Sequence, residues 1–369
     1  MPEAQERPTT STRDYEELRA RLQAWLGDRV DRNAEVSALE TPAANGMSSE
    51  TVLFDISAGG VTSHCVARIE PETGAVPVFP TYDLPKQFRV MQLVATATPV
   101  PVPRPLWLEP SSKPVGSPFF VMERVDGRVP PDLMPYTFGD NWLFDASRKN
   151  QEILQQTSIQ TLADLHALDG EDPALTFLAL DRPEATALGR HLGATAAYYD
   201  WVVTDGPRIP VLERCLAWLS DNLPDDEGPP VLSWGDSRLG NMLYRDFAPV
   251  AVLDWEMVGV APREVDLAWM IFLHRFFEDL ADQLGGPGMP HFMRIADVAG
   301  SYAELTGHEP RHLEWHTMYA ALRHGAVMAR VTQRSIHFGQ AVMPDDPDEL
   351  VMHHATLEEM LAGTYWKGL

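Results

Sequence analysis

Apolar positions along the chain change period twice. Over residues 13–26 they recur every three to four positions, with Leu18, Leu22, Trp25 and Leu26 on one face, which predicts an amphipathic helix. Residues 1–12 before it read as a polar tail. Residues 51–56 and 63–69 are short β-rich runs around Ala58-Gly59-Gly60, a hairpin signal. Helical spacing returns over 83–95, with Leu84, Phe88 and Met91 inward. Residues 99–105 (PVPVPRP) must be extended, because each proline lacks the N–H a helix needs. Residues 106–108 and 119–122 read as two further strands. After Gly127 the pattern turns mostly helical, over 151–168, 212–219, 265–280, 297–305, 313–332 and 350–362, with short strands near 231–232, 242–244 and 250–253. The prediction is α+β and two-lobed: a tail and helix (1–34), a small β-rich lobe (35–125) and a larger helical lobe (126–369).

Composition narrows the partners. Asp plus Glu number 53 against 29 Lys plus Arg, a net charge of −24. Such a surface repels phosphate backbones and anionic lipid, so no nucleic acid and no membrane partner is expected. Ten Trp and 44% hydrophobic residues argue against disorder. Two uses of the charge stay open, solubility and attraction of a cationic substrate. Cys65 and Cys215 form no disulfide framework, and the acidic N-terminus has no apolar stretch of a signal peptide, so a cytoplasmic setting is expected.

The chemistry concentrates in VLSWGDSRLGNMLYRDFAPVAVLDWE. It sets Asp236, Asn241 and Asp254 in the order D-x4-N-x12-D. Asp236 and Asn241 share a tight loop with Gly235 and Gly240, and Asp254 ends the apolar run Val250-Ala251-Val252-Leu253. A loop acid, a loop amide and a strand-end acid can converge on one point. Phosphoryl transfer uses such a set: one carboxylate takes the proton of the attacking hydroxyl, while an amide oxygen and a second carboxylate hold Mg²⁺.

This segment resembles the catalytic and metal-binding loops of the aminoglycoside phosphotransferase family, which has the protein-kinase-like fold. The resemblance extends to VDLAW (265–269), back to LADLHALD (162–169), and to GMSSET, VARIEP, VPVPRPLWLEP and SPFFVMERVDG in the first third. PPDLMPYTFGDNWLFD resembles a bacterial subgroup of the family. The resemblance implies Asp236 as catalytic base and Asn241 and Asp254 as Mg²⁺ ligands. It implies a turn from Gly46 to Glu50 over the phosphates of ATP or GTP, with Ser48 and Ser49 near the oxygens, although the residues alone also fit an ordinary hairpin. Arg68 falls where the family places a phosphate-gripping cation, and Arg238 is a second cation for the nucleotide. Glu123 to Val125 would be the hinge that reads the base edge. Asp266 would brace the catalytic loop by accepting backbone hydrogen bonds. The second substrate would be a small hydroxylated molecule.

Three positions depart from the family pattern. Arg68 replaces Lys, Gln87 stands where Glu is expected and can hydrogen-bond Arg68 but not ion-pair with it, and Trp234 replaces the His two residues before the base. Together they keep a second reading open, a nucleotide-binding protein with little or no catalysis. His312, Glu314 and His316 in HLEWH invite a zinc reading, but Leu313 stands where the zincin motif needs Glu. These residues, with His324, could instead line the substrate cleft. No GxGxxG, P-loop or GxSxG pattern occurs.

Overall fold

The computed structural model describes residues 13–42, 48–72, 76–132 and 135–366. Helix α1 (Tyr15–Gly27) starts at Asp14, whose side chain accepts from the Glu16 and Glu17 N–H groups that the first turn leaves open. Then come β1 (Glu35–Val36), β2 (Glu50–Ala58), β3 (Val61–Ile69), α2 (Leu84–Ala97), β4 (Pro105–Glu109) and β5 (Phe119–Glu123). The strands form one sheet in the order β1-β2-β3-β5-β4, antiparallel at each pairing. Gly59 and Gly60 have φ of +57° and +80°, and they turn β2 into β3 with Ala58 opposite Val61. Two successive positive φ values are the backbone of the tightest hairpin turn, which glycine adopts without strain.

Strand alternation decides what this sheet offers to each side. Val52, Phe54, Ile56, Cys65, Ala67, Ile69, Phe119 and Val121 face one way, and Leu18, Leu22, Trp25 and Leu26 of α1 cover them. Thr51, Leu53, Val66, Arg68, Phe120 and Met122 face the other way, onto a cavity beneath α2. Arg68 reaches that cavity because its parity in β3 matches Val66 rather than Ala67.

The helical part comprises α3 (Arg148–Leu165), α4 (Ala187–Val202), α5 (Pro210–Asp221), β6 (Val231–Ser233), β7 (Met242–Arg245), β8 (Ala248–Val252), β9 (Gly259–Ala261), α6 (Glu264–Gln283), α7 (Ile295–Thr306), α8 (Leu313–His337) and α9 (His354–Leu361). Strand β6 pairs with β9 and β7 with β8. One core unites α4, α5, α6, α8 and α9 through residues such as Leu192, Leu212, Phe272, Leu322 and Leu357. Another runs from Val66, Met91 and Phe120 of the small lobe to Leu162, Trp234 and Ile271 of the large one, so apolar packing is continuous between the lobes. The extended prolines join them as well: Pro101 O accepts from Val252 N at 2.8 Å.

The expected small sheet and larger helical part are both present, with element ends moved by a few residues. Helix α4 and the short strands β1 and β9 are additions. Helix α4 carries Gly189 and Gly193, which blur a helical stripe, and packing against α8 and β9 stabilises it instead. The last expected helix is shorter, with Leu350 in a separate turn (Pro347–Leu350) ahead of α9.

Several histidines of this part are buried as neutral imidazoles. Burial pushes His274 down to about 3, and His191, His316 and His353 down to about 4. An unfolded imidazole titrates near ~6.5. Above that pH both states are neutral at these sites and the native state keeps its full stability. As pH falls from 6.5 toward 4, only the unfolded chain binds these protons, so stability is lost. The unfolding midpoint is expected to fall steeply over that window, and less steeply in His353→Phe; parallel pH profiles for the two proteins would contradict this account.

Candidate active site

The site is built where β6 ends. Gly235 follows with φ +87°, and a Cβ there would lie 2.1 Å from Met257 O, so the backbone of residues 235 and 257 can approach only with glycine. The turn aims Asp236 inward. Its Oδ2 accepts from Asn241 Nδ2 at 2.6 Å and from Arg238 Nε at 3.3 Å. Its Oδ1 accepts from Trp269 Nε1 of α6 at 2.7 Å. Arg238 reaches on to Asp132 Oδ2 at 2.9 Å. Burial opposes the Arg238 charge, but Asp236 and Asp132 outweigh it and raise its pKa above the usual guanidinium value.

Asp254 meets this loop from β8. Leu253 N donates to Asn241 O at 2.8 Å, tying the strand end to the loop amide's residue. Asp254 itself has φ +58°, uncommon for a residue with a side chain. Across the cleft Arg68 Nη2 lies 3.0 Å from Asp254 Oδ1, and Arg68 Nη1 donates to Thr51 Oγ1 at 3.2 Å. Glu256 sits 3.8 Å from the same guanidinium and accepts from Ser48 Oγ at 2.5 Å. Burial, with repulsion from Asp254, pushes Glu256 up to about 8 despite Arg68 and Ser48. The Trp234 indole N–H donates to Leu253 O at 2.9 Å and Asp254 O at 3.2 Å, so loop and strand end are held together.

Beneath the loop lies Asp266, fully buried in α6. Oδ1 accepts from Gly235 N at 2.8 Å and Ser233 Oγ at 3.0 Å; Oδ2 accepts from Trp234 N at 2.7 Å and faces His166 Nε2 at 3.0 Å. His166 Nδ1 is fixed in turn by Tyr302 OH at 2.8 Å. Burial alone would raise this carboxyl, but the bonds from His166 and the two backbone N–H groups leave it below the ordinary value. The expected backbone brace is therefore present in the contacts, with His166 as a partner that the sequence did not disclose.

A cavity of about 400 Å³ opens between the sheet and this loop. Arg68, Gln87, Glu123, Val125, Arg238, Asn241 and Asp254 all line it, among apolar walls that include Leu53, Val66, Met122, Leu243 and Leu253. The Val125 backbone N–H donates to no described group, which leaves a donor at the hinge position. Ser49 Oγ is buried and without a hydrogen-bond partner among the described residues. Gly46 lies outside the described residues. Gln87 is buried in the wall and makes no hydrogen bond to Arg68, a bond its amide could have made. The guanidinium takes the carboxylate of Asp254 instead, a stronger acceptor than an amide. Glu256, Asp132 and Trp269 belong to the site but were not singled out by the sequence. For Glu256 the DWE that follows β8 was a usable signal; Asp132 and Trp269 are distant in sequence and had none.

Among the described residues no three His, Cys, Asp or Glu side chains form a cluster able to hold a metal, and HLEWH makes none: His316 is buried with Nδ1 on His312 O. Asn241 and Asp254 nonetheless suit a hard cation. Asn241 gives its amide N–H to Asp236, which leaves its oxygen for other use, and Asp254 already neutralises a cation, Arg68.

Removing Asp266 would leave Trp234 N, Gly235 N and Ser233 Oγ without their acceptor in a dry site. Asp266→Ala should cost about 3–5 kcal/mol, the range for breaking one side of a buried charged network. Urea unfolding measures this, and a loss below 1 kcal/mol, about the worth of one ordinary hydrogen bond, would show that the brace is dispensable.

Comparison with known proteins now supplies the family. Human acyl-CoA dehydrogenase family member 11 is 26% identical over 250 residues, 67% of this chain and 30% of that protein. The chain thus spans about 30% of the length of this curated relative. These animal relatives say nothing of the bacterial subgroup. A crystal structure of a provisionally named aminoglycoside phosphotransferase from Ralstonia eutropha JMP134 superimposes with a TM-score of 0.67 at 21% identity, covering 94% of this chain and 98% of that one. A ternary complex of a thermostable aminoglycoside phosphotransferase APH(4)-Ia mutant with ADP and hygromycin B superimposes with a TM-score of 0.53 at 14% identity, covering 94% and 99%. These two likenesses establish the two-lobed kinase-like fold. The sequence model of the phosphotransferase enzyme family (APH) matches residues 40–294, well over half of the chain, and the protein belongs to that family.

Proposed function

We propose that this protein transfers the γ-phosphate of ATP or GTP to a hydroxyl of a small molecule. The observation that carries the reading is the convergence of Asp236, Asn241 and Asp254 with Arg68 and Arg238 beside one interlobe cavity. Residues 35–125 would form the nucleotide-binding lobe, with α1 covering the outer face of its sheet, and residues 126–369 the catalytic lobe. The base edge would lie against Glu123 and Val125, and the phosphates near Ser48, Ser49, Arg68 and Arg238. Mg²⁺ held by Asn241 and Asp254 would neutralise phosphate charge. Asp236 accepts the proton of the acceptor hydroxyl as its oxygen bonds to the γ-phosphorus and the bond to the nucleoside diphosphate breaks. Most of the work is positioning and charge neutralisation. The buried free thiols Cys65 and Cys215 suit a cytoplasmic setting.

For the acceptor, an antibiotic occupies the site of one structural neighbour, whereas the curated relatives are named acyl-CoA dehydrogenases. Helix α8 contributes Arg323, Arg330 and Arg334 to the large lobe, so the net charge of −24 gives no ground for a polycationic drug. A hydroxyl on an acyl-linked metabolite is the alternative acceptor class. The competing reading, binding without transfer, draws on Arg68 being bonded to Asp254 rather than open to phosphate.

Two variants separate these readings. Asp236→Asn should bind Mg-ATP as the wild type does and lose at least ~10²-fold in turnover, in line with removal of a general base; transfer at the wild-type rate would overturn the assignment. Asp254→Ala should abolish Mg²⁺-dependent nucleotide binding, and unchanged affinity by calorimetry would exclude Asp254 as a ligand. Mass spectrometry of an acceptor panel completes the test: nucleotide binding without any phosphorylated product favours the second reading.

A further inference from the structure

Asp236 has more partners than the proposed chemistry requires. Asn241 and Arg238 hold Oδ2, whereas Trp269 holds Oδ1 at 2.7 Å, a contact no motif assigns. A buried indole N–H needs one acceptor, and a backbone carbonyl would serve. Here it meets a carboxylate, which gives a charge-assisted bond. Three donors on a group with about four acceptor sites leave the carboxylate little freedom to turn and about one site for a hydroxyl.

Trp269 is itself immobilised. It is buried, the Arg323 guanidinium lies 4.8 Å from its ring centre, and His324 meets it edge-on at 6.3 Å. Arg323 Nη2 reaches Gly235 O at 3.4 Å, so the group that clamps the indole also touches the loop that carries Asp236. Asp266 and Trp269 are three residues apart on α6 and therefore share a face. That face does two things to one loop: Asp266 holds its backbone, and Trp269 holds its reactive side chain.

We propose that Trp269 is a positioning residue for phosphoryl transfer, its indole N–H fixing Asp236 Oδ1 so that the carboxylate keeps one orientation toward the attacking hydroxyl, with Arg323 clamping the indole from behind. This rests on the reading of Asp236 as the base. It predicts an effect on turnover without an effect on nucleotide binding, because Trp269 does not line the cavity.

The test uses the full chain labelled with ¹⁵N-tryptophan. The Trp269 indole resonance is identified by its loss in Trp269→Phe, and it should shift clearly in Asp236→Asn, where the acceptor loses its charge. A resonance that does not respond overturns the inference whatever the rates show. Turnover is read as Mg-ATP hydrolysis, with water in place of the acceptor. Trp269→Phe should lower kcat by roughly 10–100-fold, the scale of a displaced catalytic group, with the KM and calorimetric Kd for Mg-ATP within about twofold of wild type. Equal losses in kcat and nucleotide affinity would mark a merely structural role and overturn it, as would full activity. If Trp269→Phe does not fold, Arg323→Met keeps the indole and removes its clamp, and the same split between kcat and Kd is required. The two readings fail separately: activity retained in Asp236→Asn defeats the base assignment, whereas an inactive Asp236→Asn beside a fully active Trp269→Phe defeats only the positioning role.

Discussion

A single buried carboxylate, Asp266, sets the geometry on which the site depends. Moving an ion of this size out of water costs several kcal/mol even after relaxation. Here the cost is offset by donors from Ser233, Trp234 and Gly235 and by His166, which Tyr302 orients. The arrangement demands a loop whose consecutive N–H groups converge on one point, and Gly235 at φ +87° permits it. Asp236 then has only one direction in which to project. Ser237 Oγ closes the unit by donating to Asp266 O at 2.7 Å. The loop is thus held from beneath by α6.

Each of two cleft arginines is engaged by acids. Asp254 faces Arg68, and Asp236 and Asp132 face Arg238. Glu256 is a further acid beside Arg68, and its environment drives it toward the protonated form. A polyanionic nucleotide approaching a protein of net charge −24 gains nothing from the long-range field, so local cations must do the recruiting. Both Arg68 and Arg238 are already bound to acids. On the proposed reading, a phosphate entering the cleft would meet guanidinium groups that already carry acids. Arginine suits such a site, since its planar fork can hold a carboxylate and a phosphate oxygen with different N–H groups.

The two-lobed α+β architecture was legible because its signals are local. Hairpin glycines, helical stripes and a proline run that excludes helix each act within a few residues. The D-x4-N-x12-D order was legible for the same reason, as a loop and a strand end lie close in sequence. Helix α4 was not, because Gly189 and Gly193 interrupt its stripe and contacts with α8 compensate. Whether Gln87 would bond Arg68 was not legible, because a position in a helix says which face a residue takes, not which of several acceptors a guanidinium will choose.

The sequence by itself determined most of the elements and the identity of the acid, the amide and the strand-end acid. Those follow from backbone periodicity and from side-chain chemistry, which any segment carries with it. Only the tertiary structure decided that Arg68 rests on Asp254, that Ser48 is bound to Glu256, that Trp269 meets Asp236 and that His166 meets Asp266 beneath the loop. Such contacts span some 30 to more than 200 residues of chain, from Trp269–Asp236 (|i−j| 33) to Ser48–Glu256 (|i−j| 208), and depend on how whole helices and a sheet dock. Docking is set by the summed packing of the cores, and no local pattern encodes it.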